Sequence, residues 1–302
     1  MKYFEFIDEM AKKVKLCFDK DVSVEIHKVI KNNSMEYDSL TIIEPGRNVT
    51  PNFYLQNMYR RYVDGIGIDS LVAEIVQAYE TGKDNEKYGD LSLEYDDCQD
   101  KIVMRLISLE KNSKMLEDMP YIPFLDMAVV FYFLVDNDEK GIASIRITNR
   151  VMTNWGTDIK KLYTLASSNS KRIFEEKIMP ISTMLEGYNV NLKEMGLGNI
   201  DCAQGEIYEP YIVTNNVGIN GATVILYPDM LKEIAAKIGG DFYMLPSSIH
   251  EVIVISTGAD ISEKELKGMV EEVNQNYLLP DEYLSDNIYK YSLAYNSLEM
   301  IA

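Results

Sequence analysis

Residues 211–255 read YIVTNNVGINGATVILYPDMLKEIAAKIGGDFYMLPSSIHEVIVI, and the pattern of this stretch decides the class of fold. Its apolar and β-branched runs predict strand, turn, strand, helix, strand, short polar loop, strand. Asn216 to Gly221 has the composition of a tight turn. Pro228 is placed for a first helical turn and Gly239-Gly240 for its end.

Working outward, the same hairpin-then-helix order recurs. Val22–Ile30 and Tyr37–Ile43 alternate around a polar turn. Met127–Val135 and Ile142–Thr148 flank Asp136-Asn137-Asp138-Glu139-Lys140-Gly141. The recurrence is either a duplicated unit or the ordinary reuse of short antiparallel connections. In both cases the expected class is α+β: an antiparallel or mixed sheet built from repeated β-hairpin–helix units, with helices packed on one face.

Between these hairpins the periodicity changes. Phe4, Ile7, Met10, Val14 and Cys17 recur at helical spacing. Thr50-Pro51 is a helix-start pair, and Ile68, Leu71, Val72, Ile75, Val76 and Tyr79 share one helical face. Lys101–Leu109 reads as a strand and Asn112–Met119 as a short helix. Thr157 is placed to cap a further helix. Another is expected from about Ser170, disturbed at Pro180, which lacks a backbone donor. Ser262 with Glu265 forms a capping box. Tyr289 and Tyr291 alternate as on a strand. The polar stretch 81–100 and the glycine-bearing stretch 187–209 read as connections. The chain divides into an N-terminal module, 1–100, and a C-terminal module, 101–302, which could also form one continuous domain.

The chain has 302 residues, 48 acidic against 30 basic side chains and a net charge of −18. Such a balance repels phosphate backbones, so nucleic acid is not an expected partner. Three cysteines, at 17, 98 and 202, form no paired motif; a reducing cytoplasm fits them better than a disulfide framework. The first residues lack the apolar core of a signal peptide. The run at 127–135 is about half the ~20 residues of a membrane span, so no membrane association is expected.

The chemical candidates cluster at the 246–251 loop. Ser248 and His250 would share a face on an extended chain, with Cα atoms ~7 Å apart. Glu251 would then point away. Ser247 or Ser248 with His250 is the one nucleophile–base pair the sequence offers, and it lacks both a nucleophile elbow and an adjacent orienting acid. No catalytic residue is assigned on this basis. Pro246, Glu251, Asn220 and Trp155 are candidates for a ligand or partner surface, Trp155 as a stacking platform. His27 and His250 lie in different modules, no metal-ligand spacing occurs, and neither metal nor cofactor is expected.

Taken together, NVTPNFYLQNMYRRYVDG from Asn48, PYIPFLDMAVVFYFLV from Pro120, Tyr211–Pro228, LPSSIHEVIVI from Leu245 and the tail from Met269 to Tyr291 resemble the bacterial domain of unknown function 5688 family. The resemblance covers nearly the whole chain. It implies a bacterial, cytoplasmic protein and supplies no catalytic residues. The reading that follows is a non-enzymatic protein- or ligand-binding module with an unknown protein or small molecule as partner. The alternatives are a hydrolase using Ser247 or Ser248 with His250, and an acidic mimic of nucleic acid.

Overall fold

The computed structural model describes residues 1–47, 50–83, 91–138, 141–185 and 209–301. Asn48, Glu139, Lys140, Cys202 and residues 187–208 of the expected connection lie outside them. Among the described residues the strands form three sheets, and every strand pair is antiparallel. The fold is α+β.

The first sheet is β1 (Ser23–Ile30), β2 (Glu36–Ile43) and β3 (Asn52–Tyr54). Its alternation places Leu40 and Ile42 inward, where α1 (Tyr3–Lys15), α2 (Leu55–Val63) and α3 (Ile68–Lys83) cover them. On α3 the expected face is the buried one: Leu71, Val72, Ile75 and Tyr79 all lie in this core. On α1 the buried stripe is Phe6, Met10 and Val14, while Phe4 and Cys17 face solvent. Met10 and Val14 lie on the expected face with Ile7 packed beside them, and at the start of the helix Phe6 rather than Phe4 reaches the core. Thr50-Pro51 does not open a helix. The chain pairs as β3 with β2 before α2 begins, and the Thr50 hydroxyl donates to the Ile42 carbonyl at 2.7 Å.

The second sheet is built on the long strand β6 (Met127–Asp138). β4 (Ile102–Ser108) pairs along one side; β5 (Tyr121–Phe124) and then β7 (Gly141–Arg146) pair along the other. One face, including Met104, Leu106, Val129 and Phe131, enters the main core. The opposite face carries Arg105, Val130, Tyr132 and Ser144 by the two-residue period of a strand. The third sheet runs β13 (Ser297–Met300), β12 (Tyr289–Ser292), β10 (Phe242–Pro246), β11 (Val252–Ser256), β9 (Tyr211–Asn215), β8 (Glu176–Pro180). Phe242, Met244, Val254, Tyr289 and Tyr291 join the main core. The other face packs Leu245 and Ile255 against Leu266 and Val270 of α5 (Glu263–Asn276), which opens on the expected Ser262–Glu265 capping box. Apolar side chains are therefore covered on both faces of this sheet rather than on one.

Two expectations for the focal stretch and its approach need correction. Residues Gly221–Leu226 form a 3-10 helix, not a strand. A short run of uniformly buried apolar residues has no periodicity to separate the two states, and β9 finds its partners in β8 and β11 instead. The hairpin–helix unit is thus not repeated here. Upstream, α4 (Ile159–Ile173), capped by Asp158 rather than Thr157, ends before β8. Pro180 closes that edge strand, where a missing donor costs no ladder bond.

Two polar contacts hold the pieces together. Asp126 accepts hydrogen bonds from the Tyr289 hydroxyl, from Ser285 Oγ (2.6 Å) and from Asn287 Nδ2 (2.9 Å), tying the β5–β6 turn to the third sheet. At the β1–β2 turn, Asn33 and Ser34 adopt left-handed backbone. Asn33 N–H donates to Asn112 Oδ1 (2.7 Å), Asn112 Nδ2 returns a bond to Asn33 Oδ1 (2.9 Å), and Asn33 Nδ2 reaches the Tyr283 carbonyl (2.7 Å). The N-terminal hairpin is thereby clamped to the rest of the chain.

Candidate functional site

The loop between β10 and β11 places Ser248 and His250 on a bend rather than an extended chain. Ser248 is 2 % exposed. Its hydroxyl donates to Glu251 Oε1 (2.9 Å) and accepts the His250 backbone N–H (2.9 Å). The imidazole turns elsewhere: Nδ1 accepts the N–H of Asn220 (3.1 Å), so the ring hydrogen of the neutral form sits on Nε2, 3.6 Å from Glu282 Oε1. A serine hydroxyl activated by histidine must donate to an imidazole lone pair. Here the lone pair is taken by a backbone donor, and the serine proton is directed to a carboxylate.

The surrounding backbone is equally closed. Thr214 Oγ1 donates to the His250 carbonyl (2.8 Å), Ala222 N–H to the Ile249 carbonyl (3.2 Å), and Ile249 N–H to the Glu282 carbonyl (2.8 Å). Asn220 is left-handed (φ 54°). A methyl group at Gly221 would sit 2.1 Å from Thr214 Oγ1 and 2.4 Å from the His250 carbonyl oxygen. The glycine admits the 3-10 helix to the loop. Pro246 is buried as the last residue of β10, and Ser247 is half-buried with no hydrogen bond among the described residues. Trp155 donates from Nε1 to the Leu93 carbonyl (2.8 Å) and tilts against Tyr95 (5.7 Å). These residues interlock.

A second constellation lies where the β1–β2–β3 sheet meets β7. A groove of about 630 Å³ is lined by Lys31, Arg47, Tyr54, Tyr79, Ile142 and Ser144, among others. Lys31, just past β1, holds its ammonium 3.8 Å from the centroid of Tyr54 and 5.3 Å from that of Tyr37. Burial pulls its pKa below the ordinary lysine value, against the opposing pull of Asp281. Ser144 is backed by Arg105, whose Nη2 donates to its Oγ at 2.6 Å and whose guanidinium lies 3.9 Å over the Tyr132 ring. Burial pulls Arg105 below the usual arginine range. Arg146 pairs in register with Tyr132 and lies close enough to Tyr54 to favour its ionised form, although burial of that phenol outweighs it and raises its pKa.

Among the described residues, neither Lys31, Arg105 nor Arg146 makes a salt bridge. Arg47 differs, being paired with Glu44 at 3.4 Å. The reading from sequence missed this constellation. One signal was present: Arg105 is a lone cation in the otherwise apolar run IVMRLIS.

Comparison with known proteins adds the classification. The chain matches the model of a family of unknown function, DUF5688, over residues 3–293. It belongs to that family. For this DUF5688 member, no curated protein and no solved structure gives a match. No helix among its described residues is long and apolar enough to cross a membrane.

Proposed function

We propose that this DUF5688 protein is a non-enzymatic binding module whose ligand is a small molecule held in the groove between an N-terminal module, 1–100, and a C-terminal module, 101–302. One observation carries the reading: Lys31 stands at the groove without a salt bridge among the described residues, Ser144 keeps its hydroxyl hydrogen, and Tyr54 and Tyr79 line the wall. Concave sites that combine apolar walls with a few convergent polar groups are the usual form of small-molecule sites. In the Ser248–His250 loop the Ser248 hydroxyl and His250 Nδ1 are both engaged elsewhere, and the hydrolase alternative gains no support from them.

The test is to fill the groove. Ala143 and Ser144 stand on its wall, so Ala143→Trp should remove ligand binding while the far-ultraviolet circular dichroism stays that of the wild type. The readout is a thermal-shift screen of the full chain against neutral, cationic and anionic metabolites. Stabilisation by some compound, lost in Ala143→Trp, is the expected result. Compounds that stabilise both proteins alike would sink the assignment of the groove.

A further inference from the structure

Three cations converge on one seam of a chain that carries a net charge of −18. In such a chain a cation that faces the interior has carboxylates in abundance to choose from. The exposed pairs use them: Arg61 meets Glu74 at 2.7 Å and Lys232 meets Asp229 at 2.9 Å. Among the described residues, Lys31, Arg105 and Arg146 do not. Each instead lies on or beside a tyrosine. A ring face offers a cation far less than the water it displaces, and a charge withdrawn from solvent without a counter-ion is unfavourable. Asp281 offsets part of that cost for Lys31, and among the described residues no carboxylate forms a salt bridge with any of the three.

Resting on the groove reading above, we infer that the ligand is a small organic anion, bound through a phosphate or carboxylate group by Lys31 and Ser144 with Arg105 and Arg146 behind them. The chemistry of each part fits that role. The Lys31 ammonium is a point-charge donor whose tyrosine neighbours have already removed part of its hydration. Ser144 Oγ accepts from Arg105 and so keeps its own hydrogen to donate; that donation is strengthened because the acceptor lone pair faces a guanidinium. Tyr54 and Ile142 provide apolar surface for the body of the ligand. A cationic site within an acidic surface also limits which anions enter, since highly charged polyanions such as nucleic acids are repelled before they reach it.

The experiment uses the full chain and two anionic probes, inorganic phosphate and citrate, with spermidine as the cationic control, each titrated by calorimetry at low and high salt. Phosphate or citrate should bind saturably, more weakly as sodium chloride rises, while spermidine should not bind here. Lys31→Met and Arg105→Met should each weaken the bound anion about tenfold or more, as loss of a charge-assisted hydrogen bond or its supporting charge does. Ser144→Ala, a smaller change, serves should Arg105→Met fail to fold, and should show the same direction. Which of the two anions prevails separates a phosphate from a carboxylate ligand. The anion assignment is overturned if neither binds below about 10 mM, or if all three variants bind like the wild type. A neutral compound that binds and is blocked by Ala143→Trp would overturn the anion class but keep the groove. Anions that bind undisturbed by Ala143→Trp would overturn the groove itself.

Discussion

Beside the turn from β10 to β11, Ser248 is hydrogen-bonded to Glu251 and to the His250 backbone, and the His250 ring lies 3.6 Å from Glu282; at the seam beside β7, three cations lie on or beside tyrosines and, among the described residues, make no salt bridge. In the loop the Ser248 and Thr214 hydroxyls and the backbone N–H groups of Ile249 and His250 find acceptors in the same neighbourhood. Ser248 faces Glu251, His250 faces Asn220 and Glu282, and Thr214 closes on the backbone. At the seam, Lys31 and Arg105 lie over tyrosine rings, and Arg146 pairs in register with Tyr132. The first pattern is how a polar loop is locked into a fold. The second leaves half-buried cations without a salt bridge among the described residues, and departures from full compensation concentrate where a protein has work to do. A reactive-looking set of residue types is therefore weaker evidence for a site than a set left unsatisfied.

The largest effect expected from breaking this contrast is at Gly221. Its Cβ would meet the His250 carbonyl and the Asn215 backbone nitrogen at 2.4 and 2.8 Å, atoms that cannot rotate away. Gly221→Ala should cost ~3 kcal/mol in urea-induced unfolding, at the upper end for overpacking. A loss near zero would mean that the 3-10 helix is not docked on the loop as described. Next, Ser248→Ala removes one hydroxyl with both a donor and an acceptor role and should cost about 1–2 kcal/mol. If the serine were held for reactivity rather than for the fold, stability would be unchanged.

At the seam the sign reverses. Arg105→Met exchanges an unpaired cation for an apolar side chain of similar reach, and the ligand-free protein should gain about 1 kcal/mol. Destabilisation on that scale would indicate that Arg105 is structural and that the two regions do not differ. The smallest effect sharpens the loop reading. His250→Asn keeps an acceptor near Nδ1 for the Asn220 N–H, whereas His250→Ala does not. Asn should be better tolerated by about 0.5–1 kcal/mol in thermal unfolding. Equal losses would show that the ring contributes packing alone.

Much of the fold was legible residue by residue. The hairpins at 23–43 and 127–146, the α3 face and the Ser262–Glu265 cap follow from patterns with a strict local cause: alternation, helical spacing and a capping side chain reaching its own backbone. The errors have a common origin. Gly221–Leu226, Thr50-Pro51 and Glu176–Pro180 are short, and their state is set by which neighbour needs a partner rather than by their own period. The seam was illegible for a stronger reason. Lys31, Tyr54, Arg105 and Ser144 come from four separate elements, and nothing in the chain order brings them together.

By itself the sequence determined which segments are helix or strand where the period is long, that the class is α+β and that the chain is acidic, because each of these is a property of neighbouring residues. Tertiary structure alone decided that the histidine loop closes on itself while, among the described residues, the cations beside β7 make no salt bridge. Hydrogen bonds and ion pairs are made between whichever groups the packing brings within about 3 Å, and that distance is fixed when the sheets dock.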